Sequence, residues 1–282
     1  MTMAASLPSS RRNRSWVLSA GLLLVGIHVA VALLTLVWTP YDPTGMSGGR
    51  LEPPSLAHWA GTDRLGRDLF TQIMIGSRIA LLVGTGAVVI GGLIGVTLGL
   101  FAAFASRWLE DALAATLDIL IAFPTLLIAM LVVAASETAT LGSAILALGI
   151  ALSAIVARLT RILAKRVLMM DYITAARTSG TSWIGIVFRH LLPNILPTLS
   201  VNFALQFGLA VIAEASLSYL GLGAPPPNAS WGRLLQEAQG TVYTAPIGAV
   251  APGIALVSLV IGINLLADGL RDRVDPTRRR AR

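Results

Sequence analysis

The 282-residue chain has no cysteine and a single lysine among its 21 basic residues. Without cysteine there are no disulfides, no thiol nucleophile and no thiolate-ligated metal. The lysine, Lys165, is followed by Arg166 and lies outside any Gly-x4-Gly-Lys-Ser/Thr frame, so the chain lacks the phosphate loop that cradles a nucleotide and is not itself an ATPase. No His-Glu-x-x-His occurs either, which argues against a membrane-anchored metallohydrolase. Charge is scarce throughout. Only 12% of residues are Asp, Glu, Lys or Arg, about half of the ~25% usual in a soluble domain.

What replaces charge is long apolar sequence, with 55% hydrophobic residues and a mean hydropathy of +0.76. Uncharged windows cover 15–41, 79–106, 119–136, 138–157, 191–213 and 238–267. At about 1.5 Å rise per residue each crosses, or nearly crosses, ~30 Å of hydrocarbon as a helix. These runs lack the period-2 alternation of barrel strands, so helices are the form that satisfies their backbone in lipid. The expected fold is all-α, a polytopic membrane protein of six transmembrane helices.

The charge that remains is distributed unevenly. With the N-terminus inside, sixteen cations fall on the cytoplasmic side (Arg11, Arg12, Arg14, Arg107, Arg158, Arg161, Lys165, Arg166, Arg177, Arg189, Arg271, Arg273, Arg278, Arg279, Arg280 and Arg282). Five fall outside: Arg50, Arg64, Arg67, Arg78 and Arg233. This positive-inside bias places both termini in the cytoplasm. The cations sit at helix ends, which favours membrane orientation over nucleic-acid binding. Trp16 and Trp38 bracket the first run as interfacial anchors. That run is too long for a cleaved signal peptide and reads as an uncleaved anchor.

The organisation expected is a cytoplasmic tail over 1–15, a first span over 16–38, an extracytoplasmic segment over 39–78, a five-helix core over 79–268 and a cytoplasmic tail over 269–282. Spans 2 to 6 are placed at 79–104, 112–135, 138–160, 195–214 and 247–268, with a polar cytoplasmic loop over 161–193 and an outer loop over 215–245. Short connections make spans 2, 3 and 4 antiparallel neighbours. Gly91, Gly95 and Gly99 form a small-residue face on span 2 for close helix packing. No internal repeat is evident, which weakens an inverted-repeat secondary transporter.

Several polar residues stand out against this background. Asp118, near one end of span 3, needs a charged partner or water. Pro124, after Phe123, removes a backbone hydrogen bond and bends that span. Asn202 and Gln206 share a face of span 5 and either line a polar route or bond to a neighbouring helix. His28 is a lone packing residue. His58 and His190 fall on opposite sides of the membrane, so no histidine cluster exists for a metal. In the loop, Asp171 caps a helix over Tyr172–Ser179 that Gly180 ends at positive φ. Thr181 or Ser182 then caps a second short helix from Trp183, ended by Pro193. Helices this short need a partner to hold them.

Within that loop Ala175, Ala176, Gly180, Leu192 and Pro193 stand in register with the pattern Glu-Ala-Ala, three residues, Gly, nine residues, apolar, one residue, Leu-Pro. The loop thus resembles the coupling loop of binding-protein-dependent ABC importer permeases. Thr174 stands where that family usually has Glu, and His190 where it often has Ile. A carboxylate at 174 can pair with an ATPase arginine, and threonine cannot. Further segments are similar to the dipeptide, oligopeptide and nickel class, specifically its second permease subunit. They are Gly61-Thr62-Asp63-Arg64-Leu65-Gly66-Arg67-Asp68 followed by Gly76-Ser77-Arg78, Glu214 to Gly223 with Pro226 and Ser230-Trp231-Gly232, and Asn264 to Asp272 with Asp275-Pro276.

The resemblance implies a non-catalytic permease subunit in a bacterial inner membrane. It forms half of a translocation pathway for di- or oligopeptides or a similar small solute. It implies a homologous permease as partner, two cytoplasmic ATPases that use ATP and Mg, an extracytoplasmic substrate-binding protein, and no cofactor or metal on this chain. ATPase coupling then falls to Thr174, Ala175, Ala176, Arg177, Gly180, Trp183, Arg189, His190 and Pro193. The pathway falls to Asp118, Phe123, Pro124, Asn202 and Gln206, and binding-protein contact to Asp63, Arg67, Asp68 and Trp231. The alternative, an ion-gradient-driven transporter or channel, predicts buried mid-span carboxylates, of which Asp118 is the one candidate.

Overall fold

The computed structural model describes residues 11–136, 140–223, 225 and 229–274. The expectations for 1–10, Pro226, Pro227, Asp275, Pro276 and the rest of 275–282 lie outside the described residues. Ten α-helices are found there: α1 Arg11–Leu34, α2 Leu69–Phe104, α3 Arg107–Ala122, α4 Thr125–Ala134, α5 Leu141–Leu168, α6 Asp171–Thr178, α7 Trp183–Ile186, α8 Leu192–Tyr219, α9 Trp231–Ala238 and α10 Ile247–Val274. Five helical segments are long and apolar enough to cross a membrane: Trp16–Leu34, Leu69–Phe104, Leu141–Leu168, Trp183–Tyr219 and Ile247–Asp272. A sixth crossing results if α3 and α4, which meet at 90°, are taken as one span. The chain is all-helical, with one isolated β-bridge, Thr62 to Asp68, among the described residues.

The central seam joins α2 to α5. Gly91 faces the Gly149 carbonyl, Gly95 faces Val156 and the Ser153 carbonyl, and Gly99 faces Thr160 and the Ala157 carbonyl. Two four-residue stripes therefore meet, Gly91-Gly95-Gly99 on one helix and Gly149-Ser153-Ala157 on the other. Residue numbers rise together along the seam, so these two helices run parallel. In lipid, where apolar burial alone does not separate helix from solvent, such backbone proximity is what generates packing energy. The connecting helices α3 and α4 pack mainly on α5, as expected of spans 3 and 4, while the most extensive fit is the unanticipated one between α2 and α5. Around the seam, α4 and α8 complete one apolar cluster with Ala129, Val133, Leu148, Leu152, Ala210 and Leu217.

A second layer is the antiparallel pair α1 and α10. Gly21 lies against Gly262 and Leu266, and Gly269 lies against Leu18. His28 fastens this pair to the core. Its Nδ1 is 3.2 Å from Ser77 Oγ on α2, and its Nε2 is 2.9 Å from Ser258 Oγ on α10. The lone histidine is thus a packing residue with two hydrogen-bonded neighbours.

Several boundaries differ from those read in the sequence. The first helix begins at Arg11 rather than 16. Helix α2 begins ten residues earlier than 79 because the Asp68 carboxylate caps it, accepting from Thr71 N at 2.7 Å. Span 3 does not merely bend. Phe123, preceding proline, is extended (φ −79°, ψ 137°), the conformation that proline imposes on its predecessor, and the helix breaks outright. Helix α5 runs on to Leu168, which shortens the loop expected from 161. The outer connection 215–245 contains the short helix α9.

A Gly95→Val side chain, whose Cβ would lie 2.5 Å from Val156 Cβ, is expected to cost at least the ~1–3 kcal/mol of ordinary overpacking and to abolish the monodisperse peak in size-exclusion chromatography. Gly26→Ala and Gly253→Ala, where a Cβ meets nothing within 4 Å, are expected to keep that peak. Equal behaviour of the three variants would contradict the seam.

Candidate functional site

Two polar assemblies occupy opposite ends of the bundle, one built on α6 and α7 and the other on residues 39–68 with α9. At the first, α5 ends at Leu168 and α6 begins three residues later. Met170 is its N-cap residue and gives no side-chain cap, so Asp171 does not cap the helix as expected. It lies in the first turn, where a carboxylate complements the helix dipole. Ile173, 3% exposed, anchors α6 in a cluster with Ala164, Val167, Ile186, Leu191, Ile195 and Leu199.

The end of α6 is a Schellman motif. Thr181 N donates to Ala176 O and Gly180 N to Arg177 O, both at 3.0 Å, with Gly180 at φ +83°. That left-handed conformation is inexpensive for glycine. Ser182 then caps α7, its hydroxyl accepting from Gly185 N at 3.2 Å. Between α7 and α8 a π turn, Val187–Leu191, carries the chain on, with Leu192 N bonded to Val187 O. Pro193 does not end the helix as expected. It lies in the first turn of α8, where a missing N–H matters least.

The base of this loop is braced on three sides. The Arg177 guanidinium lies 3.7 Å over the Trp183 ring, and that ring meets Phe104 at the end of α2 edge-on at 5.3 Å. Asn194 Nδ2 donates to Tyr172 Oη at 2.8 Å, with His190 6.1 Å from the tyrosine ring. Thr174, Ala175, Arg177, Gly180, Arg189 and Pro193 are exposed, Trp183 is 48% exposed, and Ala176 and His190 are half-buried. Thr174 is mid-helix, away from either cap. An open hollow at the turn between α6 and α7 is lined by Ser179, Gly180, Thr181, Ser182, Gly185, Phe188 and Arg189. The brace residues Tyr172, Asn194 and Phe104 carry no pattern that marks them in the sequence, and the anchor Ile173 is distinguishable there only as the lone large aliphatic in a polar helix.

The other expected residues separate. Asp118 is paired with Arg158 at 3.2 Å, both side chains about half exposed. Phe123 and Pro124 are exposed at the α3–α4 break. On α8, Gln206 is 3% exposed, and neither its Oε1 nor Asn202 Oδ1 has a hydrogen-bond partner among the described residues. These five do not form one cluster.

At the opposite end, Asp63 Oδ1 accepts from Leu65 N and Arg67 N, and its Oδ2 pairs with Arg67 Nε at 2.6 Å. Arg67 also reaches Glu237 on α9 at 2.9 Å, and Glu237 pairs in turn with Arg233. Asp68 does not join this network. It is 2% exposed, caps α2 and accepts from His58 Nδ1 at 2.9 Å. Trp231 is also 2% exposed, its Nε1 donating to Ile73 O at 3.0 Å, with Gly76 beneath the ring. Asp68 and Trp231 therefore offer no surface to a partner, contrary to expectation. Exposed on this platform are Met46, Leu56, Trp59, Leu65 and Tyr243. No cluster of three metal-ligating side chains occurs among the described residues.

The described residues thus form a bundle of membrane-length helices with a braced polar loop between two of them, α5 and α8. Residues 95–280 match the family described as the binding-protein-dependent transport system inner membrane component. The chain is 39% identical over 267 residues to the glutathione transport system permease protein GsiD of Pectobacterium atrosepticum, covering 93% of this chain and 88% of that one. It is 37% identical over 265 residues to the dipeptide transport system permease protein DppC of Alkalihalophilus pseudofirmus, covering 91% and 84%. Its fold is similar to a chain of the MetNI methionine ABC transporter in an inward facing conformation, with TM-score 0.60, 21% identity and coverage of 72% and 96%. The chain belongs to the binding-protein-dependent transport system inner membrane components, the permease subunits of ABC importers.

Asp68→Ala removes the cap of α2 and the partner of His58, and is expected to lower stability by about 1–2 kcal/mol. A reduced thermal midpoint of the purified protein is the readout, and an unchanged midpoint would contradict the assigned role.

Proposed function

We propose that this chain forms half of the translocation pathway of an importer for short peptides, glutathione among them, and that residues 169–191 dock into a cytoplasmic ATPase. What supports docking is the shape of the loop: two short helices held at their base by Ile173, Tyr172–Asn194 and Trp183–Phe104, with Thr174, Ala175, Arg177 and Gly180 left exposed. A rigid base with a small-residue tip transmits displacement where a flexible loop would absorb it. Arg189, His190 and Pro193 belong to the stalk of this element. Both termini and the loop are placed in the cytoplasm, in keeping with the cation bias. ATP and Mg act in the ATPase subunits, two per transporter, and a homologous permease supplies the other half of the pathway.

The name of each relative supports the substrate class, since glutathione and dipeptides share amide bonds and free carboxylates. Selectivity rests largely with the binding protein. Its contact is proposed at the exposed Met46, Leu56, Trp59, Leu65 and Tyr243, with Asp63 and Arg67 bracing that surface from within. Asp118, Phe123, Pro124, Asn202 and Gln206 are proposed to respond along the pathway as it opens, and differential binding of ATP to its two states drives the change.

Gly180→Asp tests docking directly. Aspartate tolerates the left-handed conformation better than most residues, and a Cβ at 180 meets nothing within 4 Å, so the fold is expected to survive with a small drop in thermal midpoint from backbone strain at φ +83°. Copurification of the ATPase from co-expressed neighbouring genes is expected to fall by about tenfold, and undiminished recovery would overturn the docking. For the substrate, calorimetry of the neighbouring binding protein is expected to show binding of dipeptide or glutathione, and binding of neither would overturn that class.

A further inference from the structure

Glu110, in the first turn of α3, is 8% exposed and takes no part in any site described above. Its Oε1 accepts from Arg161 Nη1 at 2.9 Å and Lys165 Nζ at 2.7 Å, and its Oε2 accepts from Lys165 Nζ at 2.6 Å. Arg161 and Lys165 are one turn apart on the same face of α5. That turn is the last but one before α5 gives way, at Met169, to α6. Eight residues along α3 a second ion pair, Asp118 with Arg158, repeats the connection at 3.2 Å. Beside this second pair Leu117 packs on Ala154 and Ala157. Helix α3 is thus riveted along the end of α5 that carries the docking loop, and it leads through the Phe123–Pro124 break into α4.

From this geometry we infer that Glu110 is a positioning residue that makes α3, and with it the α3–α4 break, move with the docking loop. The inference rests on the reading of 169–191 as the ATPase-docking element. When the loop is displaced, α5 moves at its end. A carboxylate holding two cations with three short bonds resists sliding of α3 over α5, because sliding breaks three charge-assisted hydrogen bonds at once. Replacing the carboxylate by an amide leaves Arg161 and Lys165 opposing each other without an anion. Displacement of the loop then reaches α5 but is passed on to α3 only through the weaker Asp118–Arg158 pair and the Leu117 contact.

The test uses the complete transporter, both permeases, the ATPases and the binding protein, reconstituted in vesicles. Glu110→Gln is expected to retain ATPase copurification and basal hydrolysis. It is expected to lose about fivefold or more of the stimulation by loaded binding protein, the lower end of typical coupling effects, and to transport less solute per ATP. The double reversal Glu110→Lys with Lys165→Glu is expected to restore stimulation. A Glu110→Gln transporter with wild-type stimulation and transport per ATP would overturn the inference. Should that variant fail to fold, Lys165→Met, which leaves the Arg161 bond in place, is the second variant. A partial loss of stimulation at unchanged thermal midpoint supports the inference, and wild-type stimulation overturns it. Absence of ATPase from the wild-type complex would instead overturn the docking reading itself.

Discussion

The approach of α2 to α5 is the constraint on which the rest of the chain depends. Glycine carbonyl, serine carbonyl and missing side chains bring the two backbones into contact over Gly91–Gly99 and Gly149–Ala157. Contacts of this kind are individually weak and collectively decisive only where the fit is close over several turns. Because α5 is also the helix that continues to the loop and accepts α3 and α4 along its length, the seam fixes the position of every polar element at that end. Phe104, the last residue of α2, reaches Trp183 for the same reason: the seam delivers the end of α2 beside the loop.

The opposite end uses a different physics. There the segment before α2 is stabilised by carboxylates that satisfy backbone N–H groups and cations at once, Asp63 within its turn and Asp68 at the helix start. The Arg67–Glu237–Arg233 chain ties this segment to α9, and Trp231 wedges α9 against α2. The residues that the sequence marked as contacts at this end are largely the framework of the platform. What faces outward includes the apolar Met46, Leu56 and Trp59 beside charged residues such as Arg50, Glu52 and Arg64.

Much of this was legible from sequence because helix formation in lipid leaves few choices. The apolar runs, the glycine stripe on α2, the Gly180 turn and the register of Ala175 to Pro193 all follow from local patterns. The partners did not. The matching stripe Gly149-Ser153-Ala157 lies on a helix two crossings away, and nothing in linear spacing says that α2 prefers it to its neighbour α3. Pro124 signalled a bend, but the 90° break depends on α4 packing separately against α5. Pro193 read as a terminator because a π turn, which lets the helix pass through, has no sequence signature. Asp118 appeared as a span residue, whereas its partner Arg158 could be found only in three dimensions.

The central claim is that the tip of the loop, from Thr174 to Gly180, meets an ATPase. The absence of cysteine makes one measurement clean. Ala175→Cys introduces the chain's sole thiol at that tip, to which a photoactivatable cross-linker is attached in the assembled transporter. The account predicts a covalent adduct with the ATPase from position 175 whose yield changes when ATP is added, and none from Leu56→Cys at the opposite end. An adduct from 56 and none from 175 would contradict it.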